Sequence, residues 1–196
     1  MSRSYCNVCQ RPQVSCICHL ICPTKNDTHV VILQHPSEVK QSKGTVTLLS
    51  QSLVSCQVLI AEDFSEHQEF LRILADYKGQ IALVYPSEQA EIIKQNDEHN
   101  LSDNIKCVIL LDGTWKKAYR IYMINEVLQK IPHRVLPDNI KGQYQIRKTQ
   151  KQGALSTLEA CCYSLALMEN DQEKYTGLLN QFIKFNQMQL SFVVKR

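Results

Sequence analysis

The sequence predicts an α/β fold, a mostly parallel sheet with helices on both faces. Short unbroken apolar runs, such as residues 30–33 and 107–111, have the pattern of strands buried on both faces. Segments with apolar residues at helical spacing lie between these runs, and strands alternating with helices build a three-layer α/β arrangement. Several of the runs also stop at polar turns carrying proline or glycine, which separate one element from the next.

The chain begins with a different signal. Five of its nine cysteines, Cys6, Cys9, Cys16, Cys18 and Cys22, crowd the first 22 residues in the pattern C-x2-C-x6-C-x-C-x3-C. Two close thiol pairs can supply four thiolates to a tetrahedral zinc ion, a better reading than disulfides for a cytosolic chain. The expected ligands are Cys6, Cys9, Cys16 and Cys18, with Cys22 spare and His19 able to replace one of them. Unligated or redox-active thiols are the alternative. Arg11 and Pro12 suit the turn between the pairs, and Arg3 and Arg11 could grip a polyanion. A structural role is expected, because four thiolates leave no open position for chemistry. Few core residues lie here, so the metal would have to hold the segment together. A boundary near residue 25 separates this knuckle (1–25) from the body (26–196). Cys56, Cys107, Cys161 and Cys162 lie in apolar runs and read as small core residues.

In the body, residues 30–33 form a strand that ends at Gln34-His35-Pro36-Ser37-Glu38. Residues 45–54 carry Leu48, Leu49 and Leu53 at helical spacing. A second strand is expected at 58–61, then a helix over 64–77 with Phe70, Leu71 and Leu74 on one side. Residues 81–85 form a third strand, stopped by Pro86-Ser87-Glu88, and another helix should run through Lys94. The fourth strand, 107–111, leads through Asp112-Gly113-Thr114 into a helix over 115–128. A short fifth strand is expected at 133–137, and a polar basic loop over 138–153. Ser156-Thr157-Leu158-Glu159 is a capping box opening a helix over 158–168, and a final amphipathic helix spans 172–189.

Composition narrows the function. The 196 residues are 44% hydrophobic and 21% charged, ordinary values for a soluble globular protein. No apolar run approaches the ~20 residues of a membrane span. The start lacks the apolar core of a secretory signal, so a cytoplasmic location with no membrane partner is expected. Net charge is +3, but residues 116–151 carry nine Lys/Arg against two acids, which suggests a polyanionic partner. Phosphate-binding glycine motifs are absent after every strand, as is a nucleophile elbow, which disfavours dinucleotide enzymes, P-loop NTPases and serine hydrolases. In a parallel sheet the turns at 34–38, 85–88 and 112–114 fall on one edge, where ligands bind. They are expected to line one pocket, with Asp112-Gly113-Thr114 as the candidate active site.

Read together, six short motifs resemble a known family. They are C-x2-C-x-R-P with C-x-C, Leu33-Gln34-His35-Pro36-x-Glu38, Gly44-Thr45-x-x-x-Leu49, Tyr85-Pro86-x-Glu88, Asp112-Gly113-Thr114-Trp115-x-x-Ala118, and Tyr144-x-Ile146-Arg147-Lys148 with Leu155-Ser156-Thr157-x-Glu159-Ala160. In this order they look like the DTW-domain family, the tRNA-uridine aminocarboxypropyltransferases.

The resemblance implies a SPOUT-like sheet with a C-terminal knot. It also implies a transferase that moves the 3-amino-3-carboxypropyl group of S-adenosylmethionine to a ring nitrogen of a tRNA uridine, releasing methylthioadenosine. Asp112 would receive or orient the imide proton; alternatively it caps the next helix. Trp115 would press on the donor's sulfonium, with Ala118 keeping that wall flat, or Trp115 is simply core. Thr45, Leu136, Leu155, Ser156 and Thr157 are implied in the donor pocket, though Ser156 needs no ligand as a plain cap. Lys116, Lys117, Arg120, Arg147, Lys148 and Lys151 are assigned to tRNA phosphates. His35 touches substrate or is a hydrogen-bonded turn residue. A SPOUT-type RNA methyltransferase and a non-catalytic zinc-containing RNA-binding protein are the competing readings.

Overall fold

A computed structural model describes residues 4–94, 104–140 and 155–194. Among these residues six strands form one sheet: β1 (His29–Gln34), β2 (Cys56–Ile60), β3 (Ile81–Val84), β4 (Glu91–Ile92), β5 (Cys107–Asp112) and β6 (His133–Val135). Their order is β2-β1-β5-β3-β6-β4, and every pairing is parallel. Six α-helices accompany them: α1 (Val46–Ser52), α2 (Gln68–Asp76), α3 (Trp115–Ile124), α4 (Glu126–Lys130), α5 (Thr157–Met168) and α6 (Thr176–Val194).

The unbroken apolar runs are explained by two cores. Along β1, Val30 and Ile32 face one cluster while Val31 and Leu33 face the other. In β5, Val108 and Leu110 point to the first, Cys107 and Ile109 to the second. Side chains alternate across a strand, so a strand covered on both faces has no polar positions to spare. The first core is completed by α1, α5 and α6, the second by α2, α3 and α4.

Two expected helices differ in the structure. Residues before Lys94 do not form one; Glu91 and Ile92 instead pair with Arg134 and Val135 as the edge strand β4. The pairing continues where the Ile93 N–H donates to the Val135 carbonyl, and Ile93 is buried. Burial of an edge residue outweighs the weak helical preference of Glu88 to Glu91. The helix expected over 115–128 is broken at Asn125. This buried side chain accepts from the Phe64 N–H (2.6 Å) and donates to the carbonyls of Glu62 (2.9 Å) and Ile121 (2.7 Å). It thereby fixes the 62–64 turn to the gap between α3 and α4.

The N-terminal segment belongs to the first core more than its composition suggested. Ile17 and Leu20 are buried in that cluster with Phe182 and Phe185 of α6. Arg11 is buried as well. Its guanidinium donates to the carbonyls of Ser42 (2.6 Å) and Gly44 (2.8 Å) and lies 5.2 Å from the Phe185 ring centre. It holds the knuckle to the body and does not present its charge to a surface partner. Among the described residues no helix is long and apolar enough to cross a membrane.

Candidate functional site

The knuckle brings its chemistry together within 13 residues. The sulfurs of Cys6, Cys9, Cys16 and Cys18 all lie within 4.8 Å of one another. A turn near Gln10, whose φ is 56°, folds the first pair back toward the second. Backbone hydrogen bonds at Cys9 and Val8 lower the Cys6 thiol to about 6, and its bond to Cys6 helps push the Cys18 thiol up to about 12. A first thiolate is favoured here and further ones repel it, the electrostatic condition that a divalent cation relieves. Cys22 stands apart, against Gly177 of α6, and His19 is not in the cluster.

The second site lies at the carboxyl edge of the sheet, where β5 sits between β1 and β3. A cleft of about 410 Å³ is lined by Tyr85 and Pro86 after β3, Gly113 and Trp115 after β5, Leu136 and Pro137 after β6, and Leu155, Ser156 and Thr157 at the start of α5. Ala118, one turn into α3, completes the wall beside Trp115. The indole is 49% exposed, so it is a wall residue and not core. Gly113 allows a close approach: a Cβ there would lie 3.0 Å from the Lys117 Cβ, so a larger residue would push against the first turn of α3.

Asp112 lies just behind this cleft, 8% exposed, with Thr157 between it and the opening. Its Oδ1 accepts from the Thr157 hydroxyl (2.6 Å) and its Oδ2 from the Gln34 amide (2.9 Å). The N-cap of α3 is Thr114, so the carboxylate is committed to Gln34 and Thr157 and does not serve as that helix's cap. Ser156 does cap α5, through the full capping box with Glu159, and it also lines the cleft. Thr45, by contrast, is buried at the start of α1 and is not among the lining residues.

The turn after β1 faces Asp112 from the side away from the cleft. Its His35 N–H donates to the Asp112 carbonyl, Nδ1 meets Ser37, and Nε2 lies 2.6 Å from Glu62. The three polar turns therefore share an edge, but only those after β3 and β5 line the cleft. Lys117 is paired with Glu38 (2.6 Å) and Arg120 with Glu62 (2.8 Å). Burial opposes ionisation of Glu62, but Arg120 and His35 outweigh it and hold its carboxyl below the usual range. Lys116 is exposed and makes no ion pair among the described residues. Arg147, Lys148 and Lys151 lie outside the described residues.

Comparison with known proteins matches the DTW domain to residues 3–190. The chain belongs to the DTW-domain family. It is 31% identical over 175 residues to tRNA-uridine aminocarboxypropyltransferase 2 of Macaca fascicularis, covering 86% of this chain and 58% of that protein. The Drosophila melanogaster protein of the same name is 33% identical over 178 residues, 87% and 69% of the two chains. For tRNA-uridine aminocarboxypropyltransferase A of Arabidopsis thaliana the values are 26% over 221 residues, 93% and 81%. This DTW chain thus spans about three fifths of the length of the primate relative, 58%. No solved structure matches it.

Within the DTW chain, Gln34, Glu38 and Glu62 are among the site residues that sequence reasoning passed over, as are the cleft-lining Arg134 and Pro137. Gln34 and Glu38 stood in a quoted turn without a role, and Glu62 stood in no motif. Gln34 is legible in retrospect as a polar residue ending a strand otherwise apolar on both faces. Glu62 carries no such signal, since only the fold brings it against residues 35 and 120.

Proposed function

We propose that this DTW-domain chain transfers the 3-amino-3-carboxypropyl group of S-adenosylmethionine to a ring nitrogen of a uridine in tRNA, releasing methylthioadenosine. One observation carries the proposal: a cleft lined by an exposed indole and by a helix N-terminus has a fixed carboxylate directly behind it, held by that helix's Thr157 hydroxyl at 2.6 Å. A volume of about 410 Å³ is in the range of small-molecule sites.

The donor supplies a sulfonium. Its methylene carbon accepts the uridine nitrogen's electron pair while the carbon–sulfur bond breaks and sulfur keeps its electrons. Trp115 would hold the positive charge against its ring face, and Ala118 would leave room for the methyl group to turn away from the nucleophile. Free N–H groups at the start of α5, with Ser156 and Thr157, would bind a donor hydroxyl or carboxylate. Leu136 and Leu155 would cover its apolar parts. Thr45 would act from behind the wall, since α1 packs on α5.

The imide proton must leave the uridine. Asp112 would accept it or orient the ring, with Thr157 as the hydroxyl between carboxylate and cleft. Lys116, and Lys117 and Arg120 once released from Glu38 and Glu62, would meet tRNA phosphates together with Arg147 and Lys148. His35 would position this rim through Glu62. Cys6, Cys9, Cys16 and Cys18 would hold zinc in a structural role. A cytoplasmic location and the C-terminal SPOUT-like knot belong to the same proposal.

The test is to incubate protein, donor and tRNA and weigh the nucleosides and the by-product. An aminocarboxypropylated uridine with methylthioadenosine is expected. A methylated base with S-adenosylhomocysteine would make the protein a methyltransferase, and absence of donor binding would leave a non-catalytic RNA-binding protein.

A further inference from the structure

The cleft is not the only hollow at this edge. Beyond Tyr85 and Pro86, which line both, lies a second and more open depression of about 750 Å³, bounded by Tyr119, Tyr122, Met123, Gln89 and Gln129. Trp115, Tyr119 and Met123 occupy positions four apart on α3 and so share one face, and all three are about half exposed at 49%, 55% and 48%. Large aromatic side chains left in water along one helix face mark a contact surface.

The floor of the depression is rigid. Tyr122 stacks on Tyr85 with ring centres 4.8 Å apart and stands edge-on to buried His133 at 5.6 Å. His133 in turn is bonded to the Leu128 carbonyl (2.7 Å). Over this floor stand the half-exposed Tyr119 and Met123. At the rim are Gln89, whose amide nitrogen donates to the Gln129 carbonyl (3.1 Å), Gln129, whose amide nitrogen donates to the Tyr122 carbonyl (3.3 Å), and Ser87, whose hydroxyl meets His133 Nδ1. A flat aromatic surface with a polar rim is the chemistry that receives an unstacked nucleobase: its faces stack and its edge meets amides. Lys116 and Arg120, on the same helix, would stand beside the backbone of such a strand. Tyr85 and Pro86 line both hollows, so a nucleotide held in one would have its neighbour within reach of the other.

We propose that this depression is a second nucleobase site, taking an unpaired nucleotide adjacent to the uridine held at the cleft. This rests on the tRNA-modifying reading above, and the occupant is single-stranded RNA rather than a second copy of the chain.

The experiment is a double-mutant cycle between protein and RNA. Wild type, Tyr119→Ala and Tyr119→Phe are assayed with a tRNA stem-loop substrate and with versions made abasic in turn at each nucleotide flanking the modified uridine. Tyr119→Ala is expected to weaken RNA binding about ten-fold, in the range of one lost base stack. S-adenosylmethionine affinity and melting temperature should stay as in wild type, and Tyr119→Phe should restore RNA binding. At one flanking position the abasic substitution should cost wild type about ten-fold and Tyr119→Ala almost nothing. Additive losses at every position would overturn the proposal. So would a dimer that Tyr119→Ala converts to monomer with RNA affinity unchanged. If wild type itself binds neither tRNA nor donor, the underlying reading fails and the second site falls with it. If wild type modifies tRNA while Tyr119→Ala does so equally well, only the second site is wrong.

Discussion

The knuckle and the cleft solve the same problem, bringing reactive side chains together, in opposite ways. Four thiols meet within residues 6–18, held by tight turns, and their spacing pointed to these four while leaving His19 and Cys22 as possible substitutes. The cleft instead draws on residues 84–160, carried by the ends of β3, β5 and β6 and the start of α5. A local site is legible because its geometry is set by its own few residues. A distributed site is set by sheet order, which no single segment contains.

That contrast predicts that damage to the cleft costs activity with the fold intact, whereas damage to the knuckle costs stability first. The largest effect is expected from Asp112→Asn. Turnover should fall by at least ~100-fold, the scale of lost proton handling, while donor binding measured by calorimetry persists. If Asp112→Asn turns over normally, the carboxylate has no part in the chemistry. Ala118→Asp comes next. It puts a charge into the buried wall beside Trp115 and should abolish donor binding; the same buried charge lowers the melting temperature, so binding is measured well below that lower transition. Donor affinity unchanged in this variant would remove the cleft from the account.

On the knuckle side, chelation or Cys16→Ser should lower the melting temperature by on the order of 10 °C, because metal binding there is folding energy. Stoichiometric zinc in the purified protein checks the premise, and a melting curve indifferent to chelator would contradict it. Arg11→Ala should cost about 1–3 kcal/mol, since the Ser42 and Gly44 carbonyls lose a charge-assisted partner that is itself buried. Denaturant unfolding measures this. RNA affinity unchanged in the folded variant would confirm that Arg11 acts as a strut.

The smallest expected effect lies at the boundary between fold and site. Arg120 and His35 hold the Glu62 carboxyl below its ordinary value of 4.5. Its contribution is therefore complete above about that pH and disappears as pH falls through the lower folded value. Glu62→Gln should lower stability at pH 7 and make less difference at pH 3. An equal effect at both would show that the ion pairs do not matter to stability.

Much of the fold could be read from the chain, and the exceptions have physical causes. Both-sided burial in β1 and β5 left no polar residue in the run, so those strands declared themselves. The Ser156–Glu159 capping box was equally plain, since a cap acts over four residues. The edge strand β4 was hidden because its two residues owe their state to pairing with β6, 43 positions away, and not to local preference. The break at Asn125 was hidden because it depends on the Phe64 N–H donating to that side chain and the Glu62 carbonyl accepting from it across the fold. For the candidate site, the turn at 112–114 was evident as a polar end to a buried strand. The grip of Gln34 and Thr157 on Asp112 was not, since it requires knowing that β1 lies next to β5 and that α5 returns over them.

The chain has a single tryptophan, Trp115, in the cleft wall, so its fluorescence reports one place only. Titration with S-adenosylmethionine should change that emission saturably, and the change should vanish in Ala118→Asp. Donor binding seen by calorimetry with the emission unaltered, or no binding at all, would contradict the assignment of the cleft as the donor site.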